Sequence, residues 1–427
     1  MLTFLGARQR FCDNVSRRNF LQIGAFGAGL TLADQLRVRA ATAKATPSAA
    51  SPKAAIMVYL PGGPSHIDTY DPKPDAPAEF RGEFATIPTN VPGVFLSEHL
   101  PMQARMMDKI AVVRSLVSVD EHSDSLVMTG FSENANRTQG HPSVGSVISK
   151  LRVGNADIPP FVSLRGTSIG TEPGFLGAAH RPFTPDGAGL NNLRYASGVP
   201  AARLDDRKDL LARFDTARRE VDASGAMKGM DAFNQRAFDM IASGAVRKCL
   251  DLKNEDPRTR DRYKGVEQFL TARRLVEAGV GCVTLSYGGW DTHENNFKTL
   301  KQQLPMLDRG VANLIQDLHD RGMQDDVVVV VWGEFGRTPK INGNGAGRDH
   351  WSPVMSAMVS GGGLKMGQAV GTSSARGEYP KDRPYKVPHL LATIYKAMGI
   401  DPAMTFTNGS GRPMYVLEDR DLVTEFI

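Results

Sequence analysis

Apolar residues along this chain fall into two kinds of run, and the difference predicts its elements. Residues 54–60 (AAIMVYL), 280–287 (VGCVTLSY) and 327–331 (five consecutive valines) are short, continuous and bounded by Gly or polar clusters. Runs of that length and β-branched content suit strands buried on both faces of a parallel sheet. Shorter runs at 110–113, 161–164 and 355–359 predict further strands. Between 304 and 318 the pattern changes: Leu304, Leu307, Val311, Leu314, Ile315 and Leu318 recur at spacings of three and four. That spacing makes a helix with one apolar stripe to lay on a sheet. Residues 387–398 close the chain as another helix, and His141-Pro142-Ser143 opens one through residue 151, with Ser143 as its N-cap. Strands and helices in alternation, joined by short turns, predict an α/β fold with a mainly parallel central sheet and helices on both faces.

The middle third breaks the alternation. Residues 165–198 are rich in Gly, Pro and Asn, while 204–250 and 261–278 read as helices, the first strongly charged. We expect a helical insertion here, a cap over the sheet edge spanning about 165–260.

The start of the chain belongs to neither pattern. Ser16-Arg17-Arg18-Asn19-Phe20-Leu21 is a twin-arginine signature, followed by the apolar run 23–32 and small-residue cleavage sites at 41–45. Ten apolar residues are too few to span a bilayer, which needs roughly 20. The expected organisation is a signal peptide and linker over 1–45 and one α/β domain over 46–427. The domain is expected to be exported already folded, to the periplasm or beyond, with no transmembrane span in the mature chain. The leader holds six Arg and two Asp up to Ala43, leaving 45 basic against 44 acidic residues. A nearly neutral remainder calls for no nucleic-acid partner. Cys12 lies in the leader, and Cys249 and Cys282 either pair or remain thiols. With no Cys-x-x-Cys, a zinc-thiolate site is not expected.

Candidate chemistry gathers at the strand ends. His66, Asp68 and Asp71 follow the first strand and its Pro61-Gly62-Gly63-Pro64 turn. In an extended segment His66 and Asp68 would share one side. His122 and Ser123 follow the second strand, at a helix N-terminus where backbone N–H groups favour an anion. Asp291 and His293 follow 280–287, and Glu334 follows the valine strand, with a Gly/Asn-rich loop leading to Asp349 and His350. Parallel strands deliver their C-terminal ends to one edge, so these groups can converge. Carboxylates and imidazoles without thiolates suit zinc, manganese or magnesium.

The block WGEFGRTPKINGNGAGRDHWSPVMSAMVSGG with KVPHLLATIYKAMGI resembles the C-terminal half of the alkaline phosphatase superfamily. The leader, PGGPSHIDTYDPK, WDTHENNF and GEFGRTP together are similar to the twin-arginine-exported, sulfatase-like family called domain of unknown function 1501. This resemblance implies an alkaline phosphatase/sulfatase-like fold. It places Asp291, His293 and His350 in one metal site and Glu334 in a second, with Asp68 as a further ligand. The motif's His falls on Phe335, which cannot bind a metal, and the nucleophile falls near His122 or Ser123. Neither Cys-x-Pro-x-Arg nor Ser-x-Pro-x-Arg occurs, so formylglycine chemistry is not implied.

The leading expectation is an exported metallohydrolase of phosphate or sulfate esters, on a small-molecule or glycan substrate. One or two divalent ions (zinc, manganese or calcium) would activate a water or the Ser123 hydroxyl. Arg337 or Arg348 would grip the anion bidentately. The alternative is a non-catalytic envelope protein that binds a ligand at the same edge. A Ser/His/Asp hydrolase using Ser123 lacks the Gly-x-Ser-x-Gly elbow.

Overall fold

The computed structural model describes residues 53–152, 158–185 and 244–427. Eight strands build one sheet: β1 (Ala54–Tyr59), β2 (Ala111–Val117), β3 (Phe161–Ser163), β4 (Cys282–Ser286), β5 (Val327–Trp332), β6 (Met355–Gly361), β7 (Gln368–Val370) and β8 (Tyr385–Lys386). Their order is β7-β2-β6-β5-β1-β4-β3, with β8 pairing β2 beyond β7. Only β6 runs against the rest, antiparallel to both β5 and β2. The expected mainly parallel α/β sheet is what the chain forms.

β1 and β5 lie side by side in mid-sheet, every residue of both buried. Their side chains alternate between two cores. Ile56, Val58, Val329 and Val331 face α3 (Glu267–Glu277) and α4 (Asn296–Asp320). Met57, Tyr59, Val330 and Trp332 face α1 (Ser125–Thr129), α2 (Val144–Leu151) and α5 (Val387–Ala397). This is why the valine run is unbroken: a strand covered on both sides has no polar face. The stripe from Leu304 to Leu318 is buried against the first core, as its spacing predicts. Ser143 caps α2, its hydroxyl accepting from Ser146 N.

Two expectations change, and the open cysteine pairing is decided. The second strand runs on to Val117, because β6 and β8 pair with it along that length. Residues 261–278 are not one helix. A helix over Pro257–Arg262 ends, Tyr263–Val266 turn through Gly265 at φ +84°, and α3 begins at Glu267. Cys249 and Cys282 are both free thiols; burial pushes that of Cys282, within β4, up to about 12. The expected leader (1–45) and residues 186–243 of the expected cap lie outside the described residues. Their described flanks hold 3-10 turns and two short helices, Ala245–Leu250 and Pro257–Arg262. Among the described residues no helix is long and apolar enough to cross a membrane.

A buried ion pair ties three distant segments together. The Arg348 guanidinium donates to Asp68 through Nε (2.8 Å) and Nη2 (3.2 Å), and both side chains are fully buried. Arg348 also donates to the carbonyls of Phe80, Thr338 and Pro339. Asn296, at the start of α4, donates to Asp68 at 2.9 Å. Asp68 and Arg348 thus satisfy each other inside the protein, and neither is presented as a metal ligand or an anion grip. His66 departs too. Residues 65–71 turn instead of extending, so its Nε2 meets the Gly377 carbonyl at 2.8 Å, on a different path from Asp68. Burial lowers the pKa of His66, keeping the imidazole neutral.

Two measurements probe this architecture. Val329→Thr keeps the shape but buries a hydroxyl without a partner, which costs about 1–3 kcal/mol; the urea midpoint should fall accordingly. Arg348→Met leaves Asp68 charged and buried, a loss of about 3–5 kcal/mol. Adding Asp68→Asn should recover part of that loss, and a double variant no more stable than the single one contradicts the pairing.

Candidate metal centre

The turn after β1 sets the floor. Gly62 has φ +95°, and a Cβ there would stand 2.4 Å from the Asp291 nitrogen. A Cβ on Gly63 would strike the Phe335 ring. Only glycine lets this turn pass between the ends of β4 and β5. Gly62 N then donates to Glu334 Oε1 at 2.8 Å.

Asp291 stands at the middle of the edge. Arg337 Nη2 donates to its Oδ1 at 2.6 Å, His293 Nε2 and His350 Nε2 reach the same oxygen at 3.0 and 3.1 Å, and His122 Nε2 reaches Oδ2 at 3.3 Å. Burial alone would raise its pKa, but the Arg337 hydrogen bond, with the His350 and His122 imidazoles alongside, outweighs it and holds the carboxyl below the usual range. Arg337 is fully buried and spends its other donors on the carbonyls of Gly62, Gly63 and Arg348. It is a strut for Asp291, where the sequence suggested an anion grip. The reason is local: two tight turns leave carbonyls that need a buried donor.

His350 arrives because β6 runs backwards. The start of an antiparallel strand lies at the same edge as the ends of its neighbours, and His350 precedes Met355 by five residues. The Gly/Asn loop is fastened onto the segment after β4. Asn342 Nδ2 donates to His293 O (2.9 Å), Asn295 N to Gly345 O (3.0 Å) and Arg348 N to Thr292 O (2.9 Å). A Cβ on Gly347 would lie 1.7 Å from His293 O, so the two loops touch through backbone.

The result is a near-equilateral triangle. His293 Nε2, His350 Nε2 and Asp291 Oδ1 are separated by 3.0, 3.1 and 3.1 Å. Ligands about 2.1 Å from one ion sit roughly 3.0 Å apart at right angles and roughly 3.4 Å apart tetrahedrally. His293 Nδ1 contacts Asp349 Oδ1 at 2.7 Å, which puts its proton on Nδ1 and turns the Nε2 lone pair toward the triangle. That bond is also the main reason the Asp349 pKa is lowered. Asp120 Oδ1 stands 3.5 Å from His350 Nδ1. Three electron-rich atoms pointed together, each backed by the protein, form a site that fits a divalent cation.

His122 joins the triangle to a second carboxylate. Its Nδ1 lies 3.2 Å from Glu334 Oε1, and it belongs with Asp291 and His350 to a group with metal-binding spacing. Glu334 is buried, its Oε2 has no hydrogen-bond partner, and burial pushes its carboxyl pKa up. Phe335 ligates nothing. Its buried ring lies 4.4 Å from that of His350 and 5.6 Å from that of His122, setting both imidazoles. The Ser123 Oγ accepts from Ser125 N at 3.2 Å, and no contact joins it to the triangle among the described residues. Sequence reasoning passed over Asp120 and Asn342 as working parts. Their signals were an acid two residues before His122 and an Asn opening the glycine loop.

One other described group has ligand-like spacing, His389 with Asp419 and Asp421. There Nδ1 accepts from Lys386 N (3.2 Å), so the proton of a neutral ring is on Nε2, 2.9 Å from Asp419. This histidine caps α5 and has no lone pair left for a metal.

Several solved structures are similar to the chain at low identity. The lipoteichoic acid synthase LtaP from Listeria monocytogenes is 12% identical with TM-score 0.33, over 88% of this chain and 78% of its own. The phosphonate monoester hydrolase SpPMH from Silicibacter pomeroyi is 11% identical with TM-score 0.35, over 83% and 74%. Ps i-CgsB is 12% identical with TM-score 0.37, over 82% and 72%. No curated protein matches the chain. A family model does match, across residues 52–427, and by it the chain belongs to the family described as protein of unknown function (DUF1501).

Proposed function

We propose that this protein is an exported, metal-dependent hydrolase of phosphate or sulfate esters, on an alkaline phosphatase/sulfatase-like fold. The observation that carries the reading is the triangle of Asp291, His293 and His350, with Asp349 behind His293. These residues would hold one divalent ion, zinc, manganese or calcium, and Glu334 with His122 offers room for a second. An ion held there supplies Lewis acidity toward an ester oxygen and lowers the pKa of water. The protein's own part is to fix the ligands. Arg337 keeps Asp291 ionised, Asp349 holds the His293 tautomer, and Phe335 sets the His122 and His350 rings. With a single ion in the triangle, His122, between Asp291 and Glu334, would be the group that takes or gives a proton at the reacting oxygen.

Export through the twin-arginine pathway is part of the proposal and rests on the Arg17-Arg18 signature. A second reading, a non-catalytic ligand-binding protein, is favoured by one observation. Both candidate anion-binding arginines are consumed internally, by Asp291 and Asp68.

Metal analysis of the exported protein should find at least one divalent ion per chain, abolished in His350→Ala. Asp349→Asn, which weakens the support behind His293, should lower metal affinity about 10–100-fold without unfolding the chain. A native protein that neither retains nor takes up a metal defeats the reading. A panel of nitrophenyl phosphate and sulfate esters separates the two functions: turnover that vanishes with His122→Ala supports hydrolysis, and silence from the metal-loaded protein supports binding alone.

A further inference from the structure

Beside the triangle lies a second feature that ester hydrolysis as such does not use. A cavity of about 410 Å³ is lined by Phe80, Lys340, Asn342, Gly343, Asp349 and Trp351, among others. Trp351 follows His350 directly, in a two-residue strand pairing with Gly336 and Arg337. Side chains alternate along a strand, so His350 goes to the triangle while Asp349 and Trp351 go to the other side. Asp349 is therefore a shared wall, with His293 on one side and the cavity on the other.

The rings are arranged for a flat ligand. Tyr379 is 55% exposed, one of four large hydrophobic side chains so exposed among the described residues. Its ring centroid stands 5.7 Å from that of Trp351, and the two planes open at 56°. The indole is pinned by Nε1 donating to the Glu378 carbonyl at 2.7 Å, so its faces cannot turn away. Polar groups face them. Asp349 spends Oδ1 on both His293 and Asn342, leaving Oδ2 to accept from a ligand. Lys340 is exposed and has no ion pair among the described residues.

We infer that this cavity is a glycan subsite: a sugar ring lies against Trp351, with the Tyr379 ring beside it, its hydroxyls reach Asp349 Oδ2, and an acidic substituent meets Lys340. A pyranose has an apolar C–H face, which meets the negative face of an aromatic ring, and a rim of hydroxyls, which needs donors and acceptors. The Trp351 ring supplies the apolar surface, and the Asp349 carboxylate and Lys340 ammonium in the same lining supply the polar partners. Trp351 is the residue after a triangle ligand and Asp349 the residue before it, so the subsite borders the centre. As the source of the ester's specificity the subsite rests on the hydrolase reading; as a binding site it does not.

The test is affinity electrophoresis of the full chain through gels carrying heparin, chondroitin sulfate, laminarin or dextran, with casein as the polypeptide control. Retardation by at least one polysaccharide is expected, weakened at least tenfold in Kd by Tyr379→Ala and by Trp351→Ala, and less by Trp351→Phe. Tyr379 is exposed enough that its loss leaves the fold intact. No retardation by any polysaccharide, unchanged retardation in Tyr379→Ala, or equal retardation by casein overturns the subsite. Retardation of a native protein that holds no metal keeps the subsite and overturns the hydrolase.

Discussion

The ligand edge depends on how closely the turn after β1 passes the ends of β4 and β5. Register brings Tyr59 level with Trp332 and Ser286, so the next residues of all three strands meet. Gly62 and Gly63 resolve that crowding by having no side chain. Their backbone then becomes the scaffold: Gly62 N holds Glu334, and the carbonyls of both glycines hold Arg337, which holds Asp291. One turn of backbone thus fixes two carboxylates. Its rigidity comes from the double burial of β1 and β5 behind it, since a strand packed on both faces has little freedom to shift.

The reversed strand supplies what a purely parallel sheet would not. A ligand arriving before β6 reaches the edge by a loop that must turn sharply and still be held. The Gly/Asn stretch meets both demands. Its glycines allow backbone contact with the segment carrying His293, and its asparagine side chains supply hydrogen bonds in place of a core. Arg348, buried against Asp68, anchors the end of this loop just before Asp349 and His350. The ion pair that looked like site chemistry is what keeps the site's last two residues in place.

Much of this was legible in the sequence, because buried strands announce themselves by composition and sheet topology sends their ends to one edge. The valine run, the α4 stripe and the Ser143 cap all form as read. The sequence also pointed to Asp291, His293, Glu334, His122 and His350 as edge groups. It could not say which charged residues would be spent on one another. Asp68 and Arg348 stand 280 positions apart, and nothing local marks them as partners. Ser123 precedes a helix only five residues long, and its hydroxyl accepts from Ser125 N there. Strand direction was equally hidden, since a five-residue apolar run reads the same either way.

Charge balance says what the edge needs. Asp291 and Asp349 are held ionised by their neighbours, and Glu334 adds a third carboxyl. Against these stands one buried arginine in direct contact, Arg337, whose donors are already committed. A bare centre of this composition repels an anionic ester, because close like charges cost more as water is excluded. The residues that would have drawn the anion in are the two arginines that the fold has consumed. On the proposed ester reading, attraction for a phosphate or sulfate would come from a cation held by the triangle, and the same ion would relieve the three converging electron-rich atoms. On this argument a metal in the triangle and the proposed anionic ester go together, since the centre itself keeps no uncommitted arginine.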